Sequence, residues 1–166
     1  NIAFTKQIWV NPNNENHIIV NTAYGGLFQT FNGLNSKPTW NNITWGTPPN
    51  YIQGLQIRTQ SFAIKKNDYN QIWVGTFILE YETFTGIHYS LDGGATWQND
   101  TTFPAMINAN YYANGVLNKL EFAPSPSANI LYATGENHVY RKDVSNPNNP
   151  WVEISQLTSS ESLNYK

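Results

Sequence analysis

The sequence predicts an all-β protein built from three copies of one four-stranded antiparallel unit. Three observations predict it. Tryptophans recur at Trp40, Trp97 and Trp151, 57 and 54 residues apart. Apolar, β-branched segments recur upstream of each, at 17–22, 71–76 and 129–134, spaced by 54 and 58. Between them lie short alternating runs bounded by turn residues, with little helical periodicity. Self-similarity at such a period marks stacked supersecondary units.

Each unit reads as four strands, A to D. The units span about 4–44, 55–101 and 117–155, followed by a polar tail at 158–166. Strand A covers 7–11, 61–65 and 119–123, closed by Pro12, Lys66 and Pro124. Strand B is the recurring apolar segment, anchored on Ile18, Ile72 and Ile130. Strand C covers 27–30, 87–90 and 139–142, and strand D follows each recurring tryptophan.

The second C–D connection, Tyr89-Ser90-Leu91-Asp92-Gly93-Gly94-Ala95-Thr96-Trp97, is the most informative stretch. Asp-Gly is a strong hairpin signal, because glycine takes the positive φ that such turns need. The Asp92 carboxylate can accept hydrogen bonds from the amides of its own turn. Trp97 adds a large apolar plate for packing one sheet on the next. The first unit departs from this pattern: Asn32 replaces the aspartate, and three extra residues precede Thr39-Trp40. In the third, Asp143 leads through Asn146-Pro147-Asn148-Asn149-Pro150 to Trp151 without a glycine. These departures leave the repeat intact and change the turn chemistry of units one and three.

The spacing of Ser90, Asp92, Gly94, Thr96 and Trp97 resembles the Asp-box, or bacterial neuraminidase repeat. That repeat belongs to β-propellers such as sialidases, xyloglucanase-type glycosidases and sortilin-like receptors. The resemblance covers about 4–155 and implies that the units are propeller blades. Closed propellers carry roughly 4–8 blades, so three leave the ring incomplete. The expectation is a piece of a longer propeller or, alternatively, one of several copies that close a ring together. The first residue, Asn1, is not methionine, which favours the longer polypeptide.

Composition narrows the partners. Charged residues are 12% of the 166, about half the usual share, against 14% aromatics. Net charge is −2 and the basic residues do not cluster beyond Lys65-Lys66, so nucleic acid is not an expected partner. No cysteine is present, which excludes disulfides and thiolate metal sites. No apolar run reaches the length of a membrane-spanning helix. Low charge and abundant asparagine suit a secreted or cell-surface setting.

Antiparallel alternation puts the A–B and C–D turns on one face of a unit and the B–C and D–A connections on the other. The long, aromatic connections gather on the second face: 45–53, 77–84 and 100–115. Function tends to live in long loops on a rigid scaffold. Tyr51, Tyr81, Tyr111 and Tyr112 are the candidate ligand-binding residues, since phenol rings stack on a sugar or peptide while their hydroxyls bond outward. Each has a competing role in filling the gap between neighbouring blades.

Glycoside hydrolysis needs two carboxylates roughly 5–10 Å apart. Glu80, Glu82 and Asp100 are the weak catalytic candidates on the loop face from which such a pair could be drawn, and solvated loop acids are their ordinary role. Asp68, Asp92 and Asp143 fall on the opposite face. The sialidase resemblance implies an arginine triad, whereas this chain holds only Arg58 and Arg141. The histidines His17, His88 and His138 lack metal-ligand spacing and read as strand residues, so neither metal nor cofactor is expected. Asn42 and Asn99 match glycosylation acceptors, a short pattern that arises by chance. The expected function is non-catalytic binding or scaffolding toward a glycan or protein through the loop face. The alternatives are a glycoside hydrolase fragment with most catalytic residues elsewhere, and a propeller-type assembly or secretion factor.

Overall fold

Each repeat closes into its own antiparallel sheet. The computed structural model describes residues 4–23, 25–44, 59–76, 86–103, 117–124, 129–135 and 138–156. The first sheet contains β1 (Thr5–Asn11), β2 (Asn14–Thr22), β3 (Gly26–Thr30) and β4 (Asn41–Asn42). The second contains β5 (Thr59–Ile64), β6 (Ile72–Thr76), β7 (Ile87–Ser90) and β8 (Gln98–Asn99). The third contains β9 (Lys119–Phe122), β10 (Ile130–Thr134), β11 (His138–Asp143) and β12 (Val152–Gln156). Strand order follows the chain in all three, each strand pairing with the next.

The alternation of each strand supplies two apolar faces, and consecutive sheets pack through them. Ile19 and Leu27 of the first sheet meet Phe62, Ile72, Val74 and Trp97 of the second. Trp73, Ile87 and Tyr89, on the other face of the second sheet, meet Leu120, Leu131 and Trp151 of the third. Burying each such side chain contributes about 1.5–3 kcal/mol. Polar links tie the first strands together: Gln7 Nε2 donates to Phe62 O at 2.8 Å, and Leu120 N donates to Ser61 Oγ at 3.1 Å. Close approach demands a bare backbone at Gly75, where a Cβ would lie 1.8 Å from Leu117 Cδ2.

The third repeat is set one residue later than its sequence anchor. Ile18 pairs with Thr30 and Ile72 with Ser90, but the equivalent pair is Leu131 with Lys142. The sequence anchor Ile130 instead faces away from the second sheet, opposite Asp143. A slip of one residue exchanges the faces of a strand. The observed register keeps Leu131 and Ala133 in the core and leaves Ile130 and Tyr132 half-buried.

Candidate functional site

The C–D turns lie beside the A–B turns, as strand alternation requires. Gly33 N donates to Asn16 O, Gly93 N to Asn70 O and Val144 N to Asn129 O, at 2.8–2.9 Å. In the second sheet the turn is a closed polar clasp. Asp92 accepts from Thr96 N at 2.8 Å and Thr96 Oγ1 at 2.6 Å, and Ser90 Oγ donates to it at 2.7 Å. Gly93 and Gly94 hold φ of 72° and 92°, which the hairpin needs. Burial opposes the charge on Asp92, but the hydrogen bonds from Thr96, Ser90 and Ala95 outweigh it and hold the carboxyl below its ordinary range.

The first sheet builds the same clasp with an amide. Asn32 Oδ1 accepts from Thr30 Oγ1 at 2.8 Å and from Thr39 N at 2.9 Å, across the three extra residues. The third sheet does not. Lys142 stands where Thr30 and Ser90 stand, and the turn closes instead through Asp143 Oδ1, which accepts from Ser145 N at 2.9 Å. Asp92→Ala is expected to cost about 1–3 kcal/mol, since it strips partners from several donors. Asp92→Asn should cost less, because Asn32 already performs that role. Urea unfolding of the two variants checks both.

Lys142 forms the only ion pair among the described residues whose two side chains are both fully buried. Its Nζ lies 2.8 Å from Asp100 Oδ2 and donates to Thr102 Oγ1 at 2.8 Å. Trp151 Nε1 donates to the same Asp100 oxygen at 2.7 Å, while Thr102 N and Oγ1 hold Asp100 Oδ1. The ammonium also lies 5.2 Å from the Trp73 ring centroid and 5.8 Å from that of Trp151. Burial pulls the Lys142 pKa down against the bond and charge of Asp100. Asp100 was expected as an acid at the head of an exposed loop. It is instead buried between the second and third sheets, spent on Lys142, Trp151 and Thr102.

The other candidates do not converge on it. Tyr51, Tyr81, Tyr111, Tyr112, Glu80 and Glu82 lie outside the described residues. The clasp residues Ser90, Asp92, Gly94, Thr96 and Trp97 come together as one turn, with Trp97 Nε1 donating to Ile43 O of the first sheet at 2.7 Å. Among the described residues, no cluster of three or more histidine, aspartate or glutamate side chains could hold a metal ion. Nor is any helix long and apolar enough to cross a membrane. Sequence reasoning missed Lys142, although its period-two spacing from Tyr140 and Val144 points it inward.

The histidines sit on strands. His138 Nδ1 lies 2.7 Å from Glu153 Oε1. His17 is buried, stacked on Phe31 at 4.5 Å and within 3.2 Å of Asn11 Nδ2. Burial lowers its pKa from the ordinary 6.5, with a hydrogen bond to Gln29 acting the other way. The unfolded chain therefore takes up a proton that the folded one resists, so stability should fall as pH drops through and below 6.5. The difference between the native chain and His17→Gln, followed by urea unfolding from pH 7 down to about pH 5, isolates this contribution.

No family model and no curated protein matches the sequence. Solved structures do. An ancestral GH74 enzyme is similar with TM-score 0.62 and 24% identity, over 94% of this chain and 19% of its own. A Niastella koreensis GH74 enzyme is similar with TM-score 0.59 and 17% identity, over 90% of this chain and 21% of its own. These likenesses carry the fold: the three sheets are blades of a β-propeller. The chain spans about a fifth of the length of these two proteins.

Proposed function

We propose that this chain is the three-blade part of a larger propeller that binds a glycan or protein through the face carrying its B–C and D–A connections. One observation carries the choice of face. On the opposite face the polar groups of the clasps are consumed internally, Asp92 by Thr96 and Ser90, and Asn32 by Thr30 and Thr39. The binding residues of this reading are Tyr51, Tyr81, Tyr111 and Tyr112. Its setting is extracellular or at the cell surface.

The test is titration with soluble oligosaccharides by calorimetry, repeated on Tyr51→Ala, Tyr81→Ala and Tyr112→Ala. Loss of affinity without turnover supports binding. Unchanged affinity in all three variants overturns this assignment of residues. The GH74 enzymes among the structural neighbours favour a second reading, a piece of a glycoside hydrolase. Bond cleavage abolished by Glu80→Gln or Glu82→Gln would establish that reading instead. Co-purification with protein and indifference to sugars would point to an assembly or secretion factor.

A further inference from the structure

We propose that Asn32-Gly33 is a deamidation site held shut by the fold, and that its aspartate product completes the clasp of the first sheet. The site lies on the face of the clasps, so it is independent of what the loop face binds.

In an asparagine-glycine pair the side-chain amide is open to attack by its own backbone, because glycine has no Cβ to hinder the approach. The Gly33 nitrogen gives up its proton to a solvent base and attacks Cγ of Asn32. The new C–N bond closes a cyclic imide. The Cγ–Nδ2 bond breaks, and Nδ2 takes a proton from solvent and leaves as ammonia. Water then opens the imide. Cleavage at Cγ leaves an ordinary aspartate, whereas cleavage at the backbone carbonyl carbon leaves isoaspartate, with the chain rerouted through Cγ. The sum is one water consumed and one ammonia released.

The first sheet needs both residues of this reactive pair. A Cβ on Gly33 would run into Ile18 Cδ1 and lie 3.2 Å from Asn16 O. Position 32 must supply the oxygen that gathers Thr30 and Thr39. The fold also disarms the pair. Gly33 N donates to Asn16 O at 2.9 Å, so the nucleophile can neither lose its proton nor turn onto Cγ until that bond opens. Leu34 N donates to Asn16 Oδ1 at 3.3 Å and pins the next residue to the same turn. The clasp donors act the other way, since they polarise the Asn32 carbonyl and favour attack. The bond between Gly33 and Asn16 is therefore the restraint.

The aspartate product fits the site. In the second sheet Thr96 N holds Asp92 Oδ1 at 2.8 Å while Thr96 Oγ1 reaches Oδ2 at 2.6 Å. In the first, Thr39 N and Thr39 Oγ1 share the single oxygen of Asn32, at 2.9 and 3.3 Å. An aspartate at position 32 offers Thr39 Oγ1 an oxygen of its own. Isoaspartate instead lengthens the backbone between Thr30 and Thr39 and breaks their spacing.

Peptide mapping by mass spectrometry tests the proposal, after incubation of the native chain in mildly alkaline buffer with and without concentrated guanidinium chloride. Asn32 should deamidate more than about tenfold slower in the folded chain, the factor being set by how rarely the turn opens. Asn114-Gly115, the other such pair of the sequence, reports the unrestrained rate in denaturant. Below the unfolding transition, the Asn32 rate should rise with denaturant in step with hydrogen exchange at the Gly33 amide. Equal Asn32 rates in the folded and unfolded chain overturn the proposal, and so does a folded-state rate that does not follow Gly33 exchange. Asn32→Asp should unfold at the same or a higher denaturant midpoint than the native chain. A lower midpoint overturns the role given to the product.

Discussion

Asp100→Ala should lower the unfolding free energy by about 3–5 kcal/mol, the cost of leaving a buried charge without its partner. Lys142 has no route to water: its side chain is fully buried and its Nζ is directed at Asp100 and Thr102. Removing the carboxylate also strips the acceptor from Trp151 Nε1. The pair need not stabilise the fold relative to an apolar alternative, since desolvating two charges costs several kcal/mol each. Asp100→Leu combined with Lys142→Met should therefore recover most of the loss. Urea unfolding of the single and double variants, read as a double-mutant cycle, gives the coupling directly. A single Asp100→Ala loss below about 1 kcal/mol would mean that the pair is solvated, since exposed ion pairs are worth no more.

That ion pair also marks where sequence reading stops. The three sheets were legible because each strand carries its own signal. β2, β6 and β10 are β-branched and apolar, Asp92-Gly93 announces a turn, and a tryptophan opens each last strand. Such signals act over a few residues. The fate of Asp100 depends on Lys142, 42 positions away on a different sheet. Nothing local distinguishes it from a solvated acid. The one-residue offset of Leu131 was hidden for a related reason. Ile130 and Leu131 are equally apolar, and only the core formed by the second sheet decides which points inward. The clasp was partly legible: Asn32 could be expected to imitate Asp92, but that three extra residues still deliver Thr39 to its oxygen is a property of the folded loop. The loop-face tyrosines were chosen by chemistry and connection length alone, without a strand periodicity to fix their direction.

Trp73→Ala should be the other large loss, about 3–5 kcal/mol, in the range for emptying a large aromatic site. Trp73 is fully buried on β6, stacked on Tyr89 at 4.8 Å with the rings 24° apart, and it faces the third sheet. Its ring serves both sides of that interface, as apolar surface and as the plate under the Lys142 ammonium, a contact worth roughly 0.5–2 kcal/mol. The indole N–H contributes nothing comparable, because Trp73 Nε1 has no hydrogen-bond acceptor among the described residues. Trp73→Phe should therefore cost much less than Trp73→Ala, even though it leaves a smaller ring in the same space. Trp97 and Trp151 should behave differently, since their indoles donate across sheets and phenylalanine takes that donor away from Ile43 O and from Asp100 Oδ2, which keeps Lys142 alone. Unfolding free energies of the three phenylalanine variants would rank Trp73 as the mildest. If Trp73→Phe proved as damaging as Trp151→Phe, the buried N–H of Trp73 must have an acceptor, and the packing of the second sheet on the third would need a different account.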